Sequence, residues 1–282
     1  MILVTGATGQ LGHLVIASLL KKVPASSIVA AVRNVEKAKD IAVLGVQVRF
    51  ADYNQPTGWD DALKGVDKVL MISSSEIGQR AKQHRTVIDA AKRAGVKLLA
   101  YTSILRADTS PLGLAAEHNE TEAALRASGV PFVLLRHGWY TENYTAGIPG
   151  ALAHGAVYGC AGQGRIASAT RADYAEADVA VLTADNQAGK IYELAGDTSY
   201  TLAELAAEIS RQSGKNIGYV DLPEAEYKNV LVKAGLPEVV AILLSDSDTG
   251  ASKGGLFDDS HHLSKLIGRP TTPLATAVAA VI

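Results

Sequence analysis

Over the first 140 residues, short unbroken apolar runs alternate with stretches in which apolar residues recur every third or fourth position. The runs Met1–Val4, Ile28–Val32, Val46–Phe50, Lys68–Ile72, Lys97–Tyr101 and Phe132–Leu135 are too short for buried helices and continuous enough for strands covered on both faces. Between them, Leu11, Leu14, Val15 and Leu19 share one helical face, and further helices are expected at Val35–Val43, Trp59–Leu63, Arg80–Ala94 and Leu114–Ser128. Gly95 and Gly129 follow two of these segments, where a left-handed cap closes a helix. Strict strand–helix alternation predicts βαβ units, and hence a Rossmann-type, doubly wound parallel sheet of the α/β class with a smaller C-terminal α/β lobe.

From about Asn143 the rhythm loosens, and glycines crowd between Gly147 and Gly164. We expect residues 1–145 to form the nucleotide-binding core and 146–282 mainly a substrate-facing lobe, with some later segments returning to the core. In the second half the pattern predicts a helix at Arg171–Leu182 and a strand at Lys190–Leu194. A capping box, Thr201-Leu202-Ala203-Glu204, opens a further helix. Ile217–Leu222, Glu224–Ala234 and Val239–Leu244 complete the lobe, and the small polar residues of Asp246–Ser260 predict a mobile loop.

The chemistry begins at the first strand-to-helix turn, Thr5-Gly6-Ala7-Thr8-Gly9-Gln10-Leu11-Gly12. Gly6 suits a tight turn, Gly9 a close backbone approach to a pyrophosphate, and Gly12 close packing of helix on strand. The backbone of Gly6, Thr8, Gly9, Gln10 and Leu11 would then meet phosphate at a helix N-terminus. The second strand ends in Arg33-Asn34 rather than in an acid. An arginine there suits a 2′-phosphate, so NADPH is the expected cofactor.

Composition narrows the classes. Apolar residues make up 48% of the 282 and charged residues 20%, with a formal net charge of −2 and no dense basic stripe, so no nucleic-acid partner is expected. Cys160 is the single cysteine, which excludes an internal disulfide and suits a reducing compartment. A first strand at residue 2 and the lack of a long apolar run predict a cytoplasmic protein without signal peptide or membrane span, working as monomer or homodimer.

In such a sheet, reacting groups come from the strand ends. Ser73, Ser74 and Ser75 follow the fourth strand, Tyr101-Thr102-Ser103 the fifth, and Arg136-His137-Gly138-Trp139-Tyr140 the sixth. None of the ten tyrosines has a lysine four positions on, so the Tyr–Lys acid of many dehydrogenases is absent. His118-x-x-x-Glu122 lies on one helix face, and a histidine of ordinary pKa there can donate a proton or polarise a carbonyl. His84, His154, His261 and His262 show no ligand spacing, and no metal is expected.

The glycine turn, Arg33, Ala127-Ser128-Gly129-Val130-Pro131 and Leu135-Arg136-His137-Gly138-Trp139-Tyr140-Thr141-Glu142-Asn143 resemble the NmrA-like atypical short-chain dehydrogenase/reductases. Ile72–Glu76, Ala107–Leu114, Ile166–Tyr174 and Gly250–Asp259 are similar to one branch of that group, the bacterial type 2 NAD(P)H:quinone oxidoreductases. The resemblance implies flavin-free reduction of a quinone by NADPH. It adds His137, Gly138, Trp139, Tyr140 and Asn143 to the cofactor contacts, and makes Tyr140, Asn143 and Arg171 the lining of a substrate cleft between core and lobe. His118 and Tyr140 become the catalytic candidates. Many relatives carry lysine at the position of His118 and asparagine at that of His137. The group also contains reductases of triphenylmethane dyes and redox sensors that bind the dinucleotide without turning it over.

Overall fold

The computed structural model describes residues 1–282. The chain alternates as expected: β1 (Ile2–Val4), α1 (Gln10–Leu19), β2 (Ile28–Val32), α2 (Lys39–Val43), β3 (Gln47–Phe50), α3 (Trp59–Ala62), β4 (Lys68–Met71), α4 (Arg80–Arg93), β5 (Leu98–Ile104), α5 (Ala115–Ser128) and β6 (Phe132–His137). It continues through α6 (Glu142–Thr145), α7 (Ile148–His154), β7 (Ala156–Gly159), α8 (Arg171–Thr183), β8 (Ile191–Leu194), α9 (Leu202–Ser213), β9 (Gly218–Asp221), α10 (Glu224–Lys233), α11 (Glu238–Ser252), α12 (His262–Ile267) and α13 (Leu274–Ala279). No helix is long and apolar enough to cross a membrane.

Seven strands form one parallel sheet in the order β3-β2-β1-β4-β5-β6-β8. Alternate residues of each strand face opposite sides. Leu3, Val29, Val69, Met71, Leu99, Tyr101 and Leu134 join Trp59, Val87, Ile88 and Leu125 of α3, α4 and α5 in one buried cluster. The intervening residues Ile2, Val4, Ile28, Ala30 and Leu70 are equally buried, and α1 packs against α8 within the same unit. Both faces are therefore covered, which is why the strands read as unbroken apolar runs. The order reverses at β1 and β4. In open parallel sheets this switch point opens a crevice at the carboxyl ends of the strands.

The chain divides into two compact units, but not at a single cut near residue 145. The first comprises Met1–Ala107, Ala116–His137 and Arg171–Tyr192; the second comprises Asp108–Ala115, Gly138–Thr170 and Glu193–Ile282. Helix α8 thus returns to the core, while 108–115 and 138–145 leave it. In the second unit, β7 and β9 pair in parallel from Ala156↔Gly218 to Gly159↔Asp221. The capping box is formed: Thr201 Oγ1 accepts from Glu204 N at 3.2 Å, and Glu204 Oε2 accepts from Thr201 N at 2.7 Å.

Two local expectations are corrected. Strand β5 runs on to Ile104, so Tyr101, Thr102 and Ser103 lie inside it rather than at its end. Asp246–Ser252, expected as loop, is the second half of α11. Its small residues serve packing: a Cβ on Gly250 would stand 2.8 Å from Leu112 Cδ1. The hydroxyls of Ser245, Ser247 and Ser252 return to carbonyls of the preceding turn, so they cap no loop.

Asp248, on the buried face of α11, accepts from Tyr144 Oη at 3.0 Å and from Cys160 N at 3.1 Å. Burial, with a smaller contribution from Asp221, pushes its carboxyl up to about 6, against the two hydrogen bonds that lower it. The folded chain then binds this proton more tightly than the unfolded chain does. Its contribution to stability is greatest in acid and is lost as pH rises from the ordinary carboxylate range through about 6. The difference corresponds to about 3 kcal/mol at most. Urea unfolding of wild type and Asp248→Asn at acid and neutral pH should show wild type losing stability relative to the variant on going to neutral pH. A constant difference would remove Asp248 as the source.

Candidate functional site

Strand β1 ends against β4. Thr5 N donates to Leu70 O at 3.0 Å, and Thr5 Oγ1 accepts from Ile72 N at 2.9 Å. The chain then turns at Gly6, whose φ of +57° is in the left-handed region. Gly9 N closes the turn on Gly6 O at 2.8 Å. A Cβ at Gly12 would stand 2.3 Å from Gly6 O and 2.7 Å from Ala7 Cα, so only glycine lets α1 lie this close to the turn. A Cβ at Gly9 would meet a single atom, Gly6 O at 3.1 Å. Gly9 is exposed, and its extended backbone suits any residue, so the fold makes little demand for glycine there. No side chain caps α1 and no acid occupies its first turn, which leaves the N–H groups of Gln10, Leu11 and Gly12 for an anion. Thr8 and Gln10 are exposed, while the side chain of Leu11 is buried, so Leu11 can offer only its backbone.

Arg33, the first residue beyond β2, is exposed and donates through Nη1 to Glu76 Oε1 at 2.8 Å. An exposed pair of this kind is worth about 0.2–1 kcal/mol, less than the roughly 1.5–3 kcal/mol of a hydrogen bond to a charged group such as phosphate. Ser73 N donates to Thr102 Oγ1 at 2.8 Å. Ser74 is fully engaged in holding its loop: its N–H donates to His84 Nε2 at 2.9 Å and its carbonyl accepts from Arg80 Nε at 2.5 Å. Ser75 is exposed.

The bond from Ser74 N fixes the His84 tautomer. Nε2 is the acceptor, so Nδ1 carries the proton and donates to Thr121 Oγ1 at 2.9 Å. Burial, with Arg80 nearby, pushes this imidazole down to about 3, and it stays neutral. His118 is also corrected. It does not pair with Glu122; its Nδ1 lies 2.7 Å from Tyr101 Oη. Glu122 instead binds Arg136 through two bonds of 2.9 and 2.8 Å and accepts from Ser103 Oγ at 2.7 Å. Burial, then the charge of Arg80, drives His118 well below its ordinary range, so it is a neutral ring at physiological pH and not an imidazolium acid.

His137 closes β6 and is buried. Its Nε2 lies 2.8 Å from Asp178 Oδ1, and its ring stacks on Tyr174 at 4.6 Å. Its side chain is turned to α8. Gly138, Trp139, Tyr140 and Asn143 belong to the second unit, where Trp139 is buried and Tyr140 pairs with Ala169. Arg171 opens α8 in the first unit. Sequence reasoning took Glu76 only as the end of the fourth-strand segment, weighed His84 only as a metal ligand, and missed Arg80 and Asp178. The signal available was a carboxylate within the mostly apolar stretch of α8, which implies a buried partner. No group of His, Cys, Asp and Glu side chains has metal-ligating geometry.

The profile of the NAD(P)H-binding family matches residues 6–185, from the glycine turn to the end of α8. The chain belongs to the NAD(P)H-binding family. Within this NAD(P)H-binding family it is 61% identical to quinone oxidoreductase 2 of Escherichia coli K12 over 279 residues, 99% of this chain and 98% of that one. The crystal structure of an NADPH-dependent quinone oxidoreductase from Escherichia coli, complexed with NADPH, superposes with a TM-score of 0.97 at 60% identity, covering 100% of this chain and 99% of the other. Triphenylmethane reductase of Citrobacter sp., complexed with NADP(H), follows at a TM-score of 0.96 and 42% identity, with both chains fully covered.

The two glycines of the turn should separate by substitution. Gly9→Val should change the unfolding midpoint little, by less than about 1 kcal/mol, yet abolish the thermal stabilisation that NADPH confers. Gly12→Ala should cost about 1–3 kcal/mol in the protein without cofactor, through overpacking. Thermal melts with and without NADPH read both effects; a large loss of stability in Gly9→Val would make that glycine structural.

Proposed function

We propose that the protein is an NADPH-dependent quinone oxidoreductase that works without flavin. The observation that carries this is the turn at Gly6–Gly12: a left-handed glycine, a helix start with no side-chain cap, and a close approach that a Cβ would block, in a chain 61% identical over nearly its whole length to a quinone oxidoreductase. These residues fit a dinucleotide. The N–H groups at the start of α1 would hold the pyrophosphate, with Thr8 and Gln10 beside it. Arg33 would take the 2′-phosphate, and Ser73 and Ser75 would line the path beyond the switch point. When bound, NADPH supplies a hydride to the acceptor.

The remaining work falls to positioning and to support of the oxygen that becomes negative. His137 belongs to this reading as a brace: held by Asp178 and Tyr174, it fixes the end of β6, and the residues that follow it, Gly138, Trp139, Tyr140 and Asn143, are the proposed further cofactor contacts. Tyr140, Asn143 and Arg171 are the proposed contacts to the quinone. His118 is a neutral ring anchored through Nδ1 by Tyr101, and in this reading it would act through hydrogen bonding rather than as a cationic acid. A reduced quinone can take its second proton from water, so no cationic acid is needed.

Steady-state NADPH oxidation against a panel of quinones and a triphenylmethane dye tests the activity. Turnover with quinones exceeding turnover with the dye is the expected result. No turnover with any acceptor, together with tight NADPH binding, would make the protein a sensor. Arg33→Ala should weaken NADPH by about 10–150-fold, corresponding to roughly 1.5–3 kcal/mol, and NADH far less. Equal losses in a binding titration would remove Arg33 from the 2′-phosphate. His118→Gln should lower kcat by about tenfold or less, below the 10²–10⁴-fold typical of a general acid. The shape of the pH profile near the ordinary histidine pKa of about 6.5 should be the same in wild type and variant. A limb there that vanishes in the variant would restore the acid role.

A further inference from the structure

The Arg33–Glu76 pair lies where the strand order gives it a special position. Because β2 and β4 flank β1 on opposite sides, the segments leaving them border the carboxyl end of β1 from both directions. The contact from Arg33 Nη1 to Glu76 Oε1, 2.8 Å, joins those two segments across the strand end that opens into the glycine turn. Glu76 is held in place. Its Oε2 accepts from Gln83 Nε2 at 2.7 Å, Gln83 is buried and also donates to Asn54 Oδ1 at 3.1 Å, and Glu76 N donates to Ser74 Oγ at 3.1 Å. The Gln83 bond is also the main reason that the Glu76 carboxyl lies below its ordinary range, so it is an anion at neutral pH.

We propose that Glu76 is an internal occupant of the phosphate position on Arg33, and so a specificity-determining residue for the cofactor; this rests on the reading of Arg33 as the 2′-phosphate ligand. NADPH must displace the Glu76 carboxylate from the guanidinium and then share the site with a nearby negative charge. A phosphate wins the exchange because it offers more charge and three acceptor oxygens. NADH carries no competing anion at that carbon and leaves the pair closed. Glu76 therefore moderates the preference for NADPH, weakening its hold without affecting NADH. Gln83, by fixing Glu76, keeps the competitor in register.

The test uses Glu76→Gln, which preserves the oxygen that accepts from Gln83 and removes the charge. Dissociation constants of NADPH and NADH are measured by tryptophan fluorescence or calorimetry for wild type, Glu76→Gln, Arg33→Ala and the double variant, at low and high salt. In Glu76→Gln, NADPH should bind about two- to five-fold tighter, the range set by an exposed ion pair, while NADH is unchanged. The gain should shrink at high salt and in the Arg33→Ala background. Unchanged or weaker NADPH binding, or equal shifts for both cofactors, would overturn the role of Glu76. Arg33→Ala keeps the two readings apart. If it weakens both cofactors equally, the Arg33 assignment falls and this proposal with it. If it is selective while Glu76→Gln is silent, only the role of Glu76 falls.

Discussion

The first unit depends on how closely α1 approaches the end of β1. Gly12 and Gly6 are in contact through backbone alone, because a Cβ at Gly12 would lie 2.3 Å from the Gly6 carbonyl oxygen. That contact seats α1 on the sheet, buries Val15, Ile16 and Leu19, and points the uncapped helix start at the switch point between β1 and β4. Thr5 ties the two strand ends together beneath it. One packing constraint thus sets the uncapped helix start, its place at the switch point and the helix layer.

Around that frame, ion pairs are either buried or left in water, with different consequences. Glu122 and Arg136 are buried together, and Ser103 completes the carboxylate. Removing one partner of such a pair strands the other at a cost of about 3–5 kcal/mol. His137 and Asp178 brace the end of β6 in the same way. These groups hold β5, β6, α5 and α8 in place. The exposed pairs, Arg33–Glu76 among them, cost little to open. Exchange with a ligand is therefore cheap at the surface and dear in the core, so the rigid pairs hold the fold while the exposed one is open to exchange.

His118 shows how burial changes a role. On the helix pattern it has a carboxylate one turn away and an ordinary imidazole pKa. In the fold, Arg136 comes from β6 to claim that carboxylate, Tyr101 takes the ring from β5, and Arg80 adds a positive charge nearby. A ring in that setting remains neutral, so its usefulness lies in hydrogen bonding.

Sequence alone determined whatever rests on local periodicity and backbone chemistry. Unbroken apolar runs separated by amphipathic helices require a parallel sheet covered on both faces. Glycines at 6, 9 and 12 after the first run require a tight strand-to-helix turn, and Thr201 and Glu204 cap a helix within four residues of each other. Tertiary structure decided what depends on residues far apart in the chain. It assigned Glu122 to Arg136, His137 to Asp178, His84 to Ser74 and Glu76 to Arg33. It also turned the small residues of Asp246–Ser252 from a loop composition into a close-packed helix against Leu112. The physical reason is the same throughout. A hydrogen bond or a van der Waals contact is specified by the partner as much as by the residue, and the partner is chosen by the topology that brings distant strands side by side.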